Sequence, residues 1–189
     1  MPLNLRYVMR EAGWADAWIS NGSEEVQATV EWDHDSLGDM VRIACFHLEG
    51  HPESAMYPTD FSPRITFFTW HDGSHAVEFK IPYDEEIDTE EDRQRFRQRE
   101  LHGRVLRKAA DEADERELFT FTTTVGEYAA EVRRIADEIL AEYGFRGYAE
   151  EWVQSDYPLT WYARLLMLLG ETTLTVPLTS SSTPRGLSA

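Results

Sequence analysis

A single cysteine, Cys45, in 189 residues rules out an intramolecular disulfide and with it a secreted disulfide scaffold. Lysine is almost as scarce. Sixteen of the eighteen basic residues are arginine, leaving only Lys80 and Lys108, which we read as the trace of a GC-rich genome rather than as chemistry. Long apolar runs are missing too. The most apolar stretch, WYARLLMLLG, covers about ten residues and contains Arg164, whereas a bilayer span needs about twenty. The start, MPLNLRYVMREAG, holds no continuous apolar segment, so no signal peptide is expected. These absences together lead us to expect a soluble cytoplasmic protein.

Motifs that carry known chemistry are missing as well. The chain has no HExxH or HxH pair, no GxSxG elbow, no phosphate-binding P-loop and no GxGxxG turn. His34, His47, His51 and His102 stand singly. His71 and His75 are four apart but flank a hairpin turn at Asp72-Gly73. With a two-residue turn, alternation sends them to opposite faces, where they cannot share an ion. Cys45 lies in the middle of an apolar helical stripe, a setting for a small buried hydrophobe and not for a reactive thiol. We therefore assign no catalytic residue, no cofactor and no metal ligand from sequence.

What is present is a globular composition, 42% hydrophobic and 12% aromatic, long enough for one domain with a proper core. Thirty-five acids against eighteen bases give a net charge of −17. That charge repels nucleic acid and anionic membrane surfaces, and it speeds encounter with a basic partner. It also simply confers solubility.

The first third reads as an antiparallel meander. Leu3, Leu5, Tyr7 and Met9 alternate with polar residues, Trp14 to Ser20 forms a second strand, and Asn21-Gly22 is a strong hairpin signal. Val26, Ala28, Val30 and Trp32 then alternate with polar residues in a third. Leu37, Met40, Val41, Ala44, Cys45 and Leu48 recur at helical spacing, with Gly50 and Pro52 as a stop. Arg64 to Pro82 reads as a hairpin in which Phe68 faces Val77 and Trp70 faces His75. Phe119 and Phe121 mark a sixth strand. A helix over about Val125–Tyr143 ends at Gly144, and a last helix starts near Pro158 and buries Leu159, Tyr162, Leu165, Leu166 and Leu169. The tail over 171–189 is rich in Thr, Ser and Pro and reads as disordered.

The segment over 84–115 is the most charged part of the chain. DEEIDTEED carries seven acids in nine residues, and seven bases follow between Arg93 and Lys108. Acids early and bases late suit a helix dipole, and Thr89 with Asp92 fits a capping box. We expect an exposed helical insertion, acting either as a solvated helix or as a partner-binding arm.

Two stretches suggest a site. In EWDHDSLGDM, Glu31, Asp33 and Asp35 fall on one strand face and could serve as a carboxylate or metal-assisted centre. The same stretch reads as a helix start, with Ser36 and Asp39 in capping-box spacing and Asp35 complementing the dipole. In YAEEWVQSDYPLTWY, the aromatics, Trp152 and Trp161 among them, suit either a binding surface or a helical cap packed on the sheet, and the second reading is favoured because aromatics dominate core area.

EAGWADAWISNG, VQATVEW, DHDSLGDMVRIA and GYAEEWVQSDYPL together resemble a group of small actinobacterial proteins, with the likeness covering most of residues 6–165. The shared motifs are turns, caps and aromatics, so the resemblance implies a fold and transfers no reaction. The expected architecture is α+β: one domain over 1–170 with an antiparallel sheet of about six strands and two or three helices mainly on one face. Two functions are compatible with it. One is a non-enzymatic binding protein, of the immunity type, that masks a basic protein. The other is an enzyme with a carboxylate-based or metal-assisted site near Asp33 and Asp35.

Overall fold

The strand β1 (Asn4–Met9) buries Leu5, Tyr7 and Met9 and leaves Asn4, Arg6 and Val8 outside, the period-2 pattern of a sheet with one wet face. It pairs with β2 (Ala15–Ser20), which pairs with β3 (Glu25–Val30), both antiparallel. This computed structural model describes residues 3–10, 13–31, 35–49, 64–69, 73–80, 89–152 and 156–171. After β3 comes helix α1 (Ser36–Glu49), then the hairpin β4 (Arg64–Thr69) and β5 (Gly73–Lys80). Helix α2 (Glu90–Arg97), strands β6 (Glu100–Lys108) and β7 (Arg116–Thr124), and helices α3 (Val125–Trp152) and α4 (Leu159–Leu168) complete the order. The strands form two antiparallel sheets, β1-β2-β3 and β4-β5-β6-β7.

The α+β class with antiparallel pairing is as expected, but among the described residues seven strands in two sheets replace one sheet of about six. The extra strand is β6, and it corrects the expected helical insertion over 84–115. Among the described residues of that segment, helix is confined to α2, where Thr89 and Asp92 do form the reciprocal capping box. Its only buried residue is Phe96. From Glu100 the chain alternates, with Leu101, Gly103 and Val105 buried and His102 and Arg104 exposed, and it pairs with strands on both sides. Burial on one face outweighs the charge pattern.

One hydrophobic cluster runs through both sheets and all four helices. Helix α1 lies at its centre, buried on most sides through Leu37, Met40, Val41, Ile43, Ala44, Cys45, His47 and Leu48, as expected of a helix with little polar face. Helix α3 opens with a second capping box, Thr124 with Glu127. At Gly144, with φ of 64°, the helix breaks as expected, and a further helical stretch then carries Tyr148 and Trp152 into the core. Helix α4 buries Tyr162, Leu165 and Leu166 but leaves Leu159 exposed, against expectation.

Two turns differ from their expected form. Ser20 pairs with Glu25, so residues 21–24 make a four-residue connection in place of a two-residue turn. Asn21 is buried there. Its Oδ1 accepts from the amides of Ser23 and Glu24, and its Nδ2 donates to the Thr120 carbonyl of β7. In the second hairpin Thr69 pairs with Gly73 and Phe67 with His75, a register shifted from the expected one. Gly73 has φ of 87°, and a Cβ there would collide with the Lys108 carbonyl. Trp70, His71 and the tail over 172–189 lie outside the described residues. Among those residues no helix is long and apolar enough to cross a membrane.

Candidate functional site

The β3–α1 junction and the C-terminal aromatics, singled out separately in the sequence, meet in the folded chain. Tyr7 of β1 hydrogen-bonds through its hydroxyl to Ser36 Oγ at 3.0 Å, in a fully buried setting. The Tyr7 ring lies 6.4 Å from Trp152, which stacks on Tyr148 at 6.1 Å. Asp35 faces this group. Burial, reinforced by the Asp35 carboxylate, pushes the Tyr148 phenol well above its ordinary value. Trp152 Nε1 has no hydrogen-bond partner among the described residues.

This junction is chiefly a helix start. Asp35 Oδ1 accepts from the Gly38 amide at 2.8 Å, and the Asp35 carbonyl accepts from Asp39 N at 2.9 Å. The cap is therefore Asp35, one residue earlier than the expected Ser36. The physical reason is that Ser36 is buried and its hydroxyl is hydrogen-bonded to that of Tyr7. The Asp35 carboxylate instead folds over the first turn at Gly38, where a Cβ would collide with it. Asp39 does not close a capping box in the expected way; its carboxylate bonds Arg42 at 2.6 Å.

Of the other residues proposed from sequence, Glu31 is buried just after β3, and Asp33, like His34, lies outside the described residues. Trp152 is fully buried. Trp161 sits elsewhere, half-buried against Phe46 at 5.5 Å, with its carbonyl accepting from Cys45 Sγ at 3.4 Å. Burial, aided by Glu49, pushes the Cys45 thiol up to about 12, which keeps it protonated and inert. Among the described residues no three His, Cys, Asp or Glu side chains are placed to hold a metal ion.

A better-formed recess lies on the outer face of β1-β2-β3, and the sequence reading missed it. Asp16 occupies the middle strand, paired with Val8 on one side and Thr29 on the other. Its side chain is 3% exposed, an unusual state for a carboxylate on the wet face of a sheet. Thr29 Oγ1 offers Oδ1 only a long contact of 3.5 Å. Oδ2 receives no well-formed hydrogen bond among the described residues and is compensated by an ion pair with Arg10, whose side chain is 59% exposed. Arg10, Trp14, Asp16, Gln27 and Thr29 line a cavity of about 750 Å³. Two residues along the same face, Trp18 carries the Arg6 guanidinium 3.7 Å above its ring. The signal was available in WADAW: period-2 alternation sets a carboxylate between two indoles on one face.

No family model, curated protein or solved structure matches the chain.

Proposed function

We propose that the protein is a non-enzymatic binding protein whose partner is a basic protein, of the kind that masks a toxin or another cationic surface. The observation that carries this reading is the buried Asp16 carboxylate at the floor of an open recess, on a chain of net charge −17. A desolvated negative group costs stability unless a cation faces it, so such a floor favours cationic contacts. The overall charge steers a basic partner toward the surface and disfavours phosphate-rich ones. The surrounding side chains, Trp14, Trp18, Arg6 and Arg10, are of the types that dominate binding energy at protein interfaces.

The alternative, acid–base or metal-assisted chemistry at Asp33 and Asp35, is less well supported, because the Asp35 carboxylate is engaged by the Gly38 amide as a helix cap. Affinity capture from a lysate of the native source, at low and high salt, tests the binding reading. We expect recovery of a basic protein that is lost as salt rises. Recovery of none at low salt would overturn the reading.

A further inference from the structure

We propose that the recess formed by Trp14, Asp16, Gln27 and Thr29 is a guanidinium subsite that takes an arginine side chain of the basic partner, with Arg10 as a resident stand-in that the incoming arginine displaces. This rests on the binding reading above and adds to it a place and a chemical class.

The floor selects for charge. Asp16 is enclosed, so an anionic or neutral occupant would leave a carboxylate buried without a counter-charge. The free protein avoids this state by seating Arg10 on Oδ2. Arg10 is poorly placed to fill the recess, however. It belongs to the turn after β1, where its amide bonds the Trp14 carbonyl, and its side chain stays mostly in water. The recess keeps about 750 Å³ open with Arg10 as one of its walls.

The walls select for shape. A carboxylate presents two oxygens, which suit the planar fork of a guanidinium better than the point charge of an ammonium. Among the described residues Oδ1 has only the long Thr29 contact, so it can accept one arm of the fork while Oδ2 accepts the other. Trp14 supplies an aromatic wall, and the Arg6–Trp18 stack shows that this sheet face already accommodates a guanidinium on an indole. The Gln27 amide at the rim adds an acceptor oxygen for a remaining N–H. Exchange of Arg10 for an incoming arginine keeps a positive charge beside Asp16 throughout, so the swap avoids a bare buried carboxylate.

The test is an NMR titration of the full chain with N-acetyl-arginine amide, with the lysine and citrulline analogues as controls. We expect saturable shifts confined to the Asp16, Gln27 and Thr29 amides and the Trp14 indole. The lysine analogue should bind about tenfold more weakly, and the neutral citrulline should give no shift. Arg10→Ala should tighten arginine binding several-fold, since it removes the competing occupant. Asp16→Asn should abolish it. Trp14→Ala, at the recess wall, should weaken it with unchanged circular dichroism, which guards against an unfolded Asp16 variant. Equal response to arginine and lysine, or arginine binding that survives Asp16→Asn, would overturn the subsite. A captured basic partner that binds the Asp16→Asn chain equally well would also overturn it while sparing the broader reading. Saturable arginine binding with no captured partner would support the subsite and count against that reading.

Discussion

Gly103 of β6 and Phe121 of β7 face each other across the ladder, and the ring of one fills the space left by the missing side chain of the other. A Cβ at position 103 would collide with the Cζ end of the Phe121 ring. On the other side Gly103 pairs with Phe79, and the two phenyl rings meet edge-to-face at 5.8 Å above the glycine. Glycine weakens a strand interior unless something packs over it, and here two rings do.

Gly103→Ala is therefore expected to destabilise the protein by about 1–3 kcal/mol through overpacking, in contrast to the neutral or mildly favourable effect at an open strand position. Urea denaturation should show the lower midpoint. Adding Phe121→Leu should recover part of the loss by making room, and a fully additive double variant would exclude this relationship.

The same glycine explains why β6 was hard to read. In LHGRV the buried positions are Leu101, Gly103 and Val105, and the middle one contributes nothing to a hydrophobic count, while the flanking charges imitate a dipole-matched helix. The alternation of β1 and β3, the apolar stripe of α1 and the capping box at Thr89 were legible because each depends on neighbours in sequence. What depended on distant contacts was not. Asn21 is a buried anchor to β7 because the Thr120 carbonyl meets it, and Ser36 is displaced as a cap because the Tyr7 hydroxyl does. The Asp16 recess falls between these cases: WADAW places its residues on one face, but only the fold reveals that the carboxylate is enclosed.

Among the described residues strand β1 is an edge of its sheet, and α3 covers it. Glu131 Oε1 accepts from the Leu5 amide at 3.1 Å, Arg134 donates to the Leu5 carbonyl at 2.7 Å, and the Tyr143 hydroxyl donates to the Met9 carbonyl at 3.2 Å. Side chains thus occupy backbone groups that would otherwise template another strand. The double variant Glu131→Ala/Arg134→Ala should lose about 1–3 kcal/mol. It should also self-associate as concentration rises, read by size-exclusion chromatography. A variant that stays as monodisperse as the parent would remove this protective role.

His47 provides a pH test. It lies in the core between the Phe79 ring at 5.0 Å and the Tyr128 ring at 5.5 Å, with neither ring nitrogen hydrogen-bonded among the described residues. Burial lowers its pKa from the ordinary 6.5 to about 3. The unfolded chain therefore takes up a proton below pH 6.5 while the folded chain does not. Stability is unaffected by this group above pH 6.5 and falls as pH drops below it, with a slope approaching about 1.4 kcal/mol per pH unit. Denaturation midpoints measured between pH 7.5 and 5 should decline. His47→Leu should flatten that decline, since the carboxylates titrate mostly below this window. An unchanged slope in the variant would show that His47 is not held neutral.

The start of α1 distinguishes two neighbouring residues by mechanism. Asp35 caps the helix through the Gly38 amide, so Asp35→Ala should cost about 1 kcal/mol and Asp35→Asn much less, because the amide oxygen can still accept. Gly38→Ala should be harmful although alanine is the better helix former, since its methyl would displace the carboxylate from the cap. Ser36→Ala should also cost on the order of 1 kcal/mol, but through the Tyr7 hydroxyl and not through the cap. A double-mutant cycle separates the two. Ser36→Ala combined with Tyr7→Phe should show a coupling of at least about 0.5 kcal/mol, while Asp35→Asn combined with Tyr7→Phe should be closer to additive. The reverse pattern would return the capping role to Ser36 and free the Asp35 carboxylate for other work.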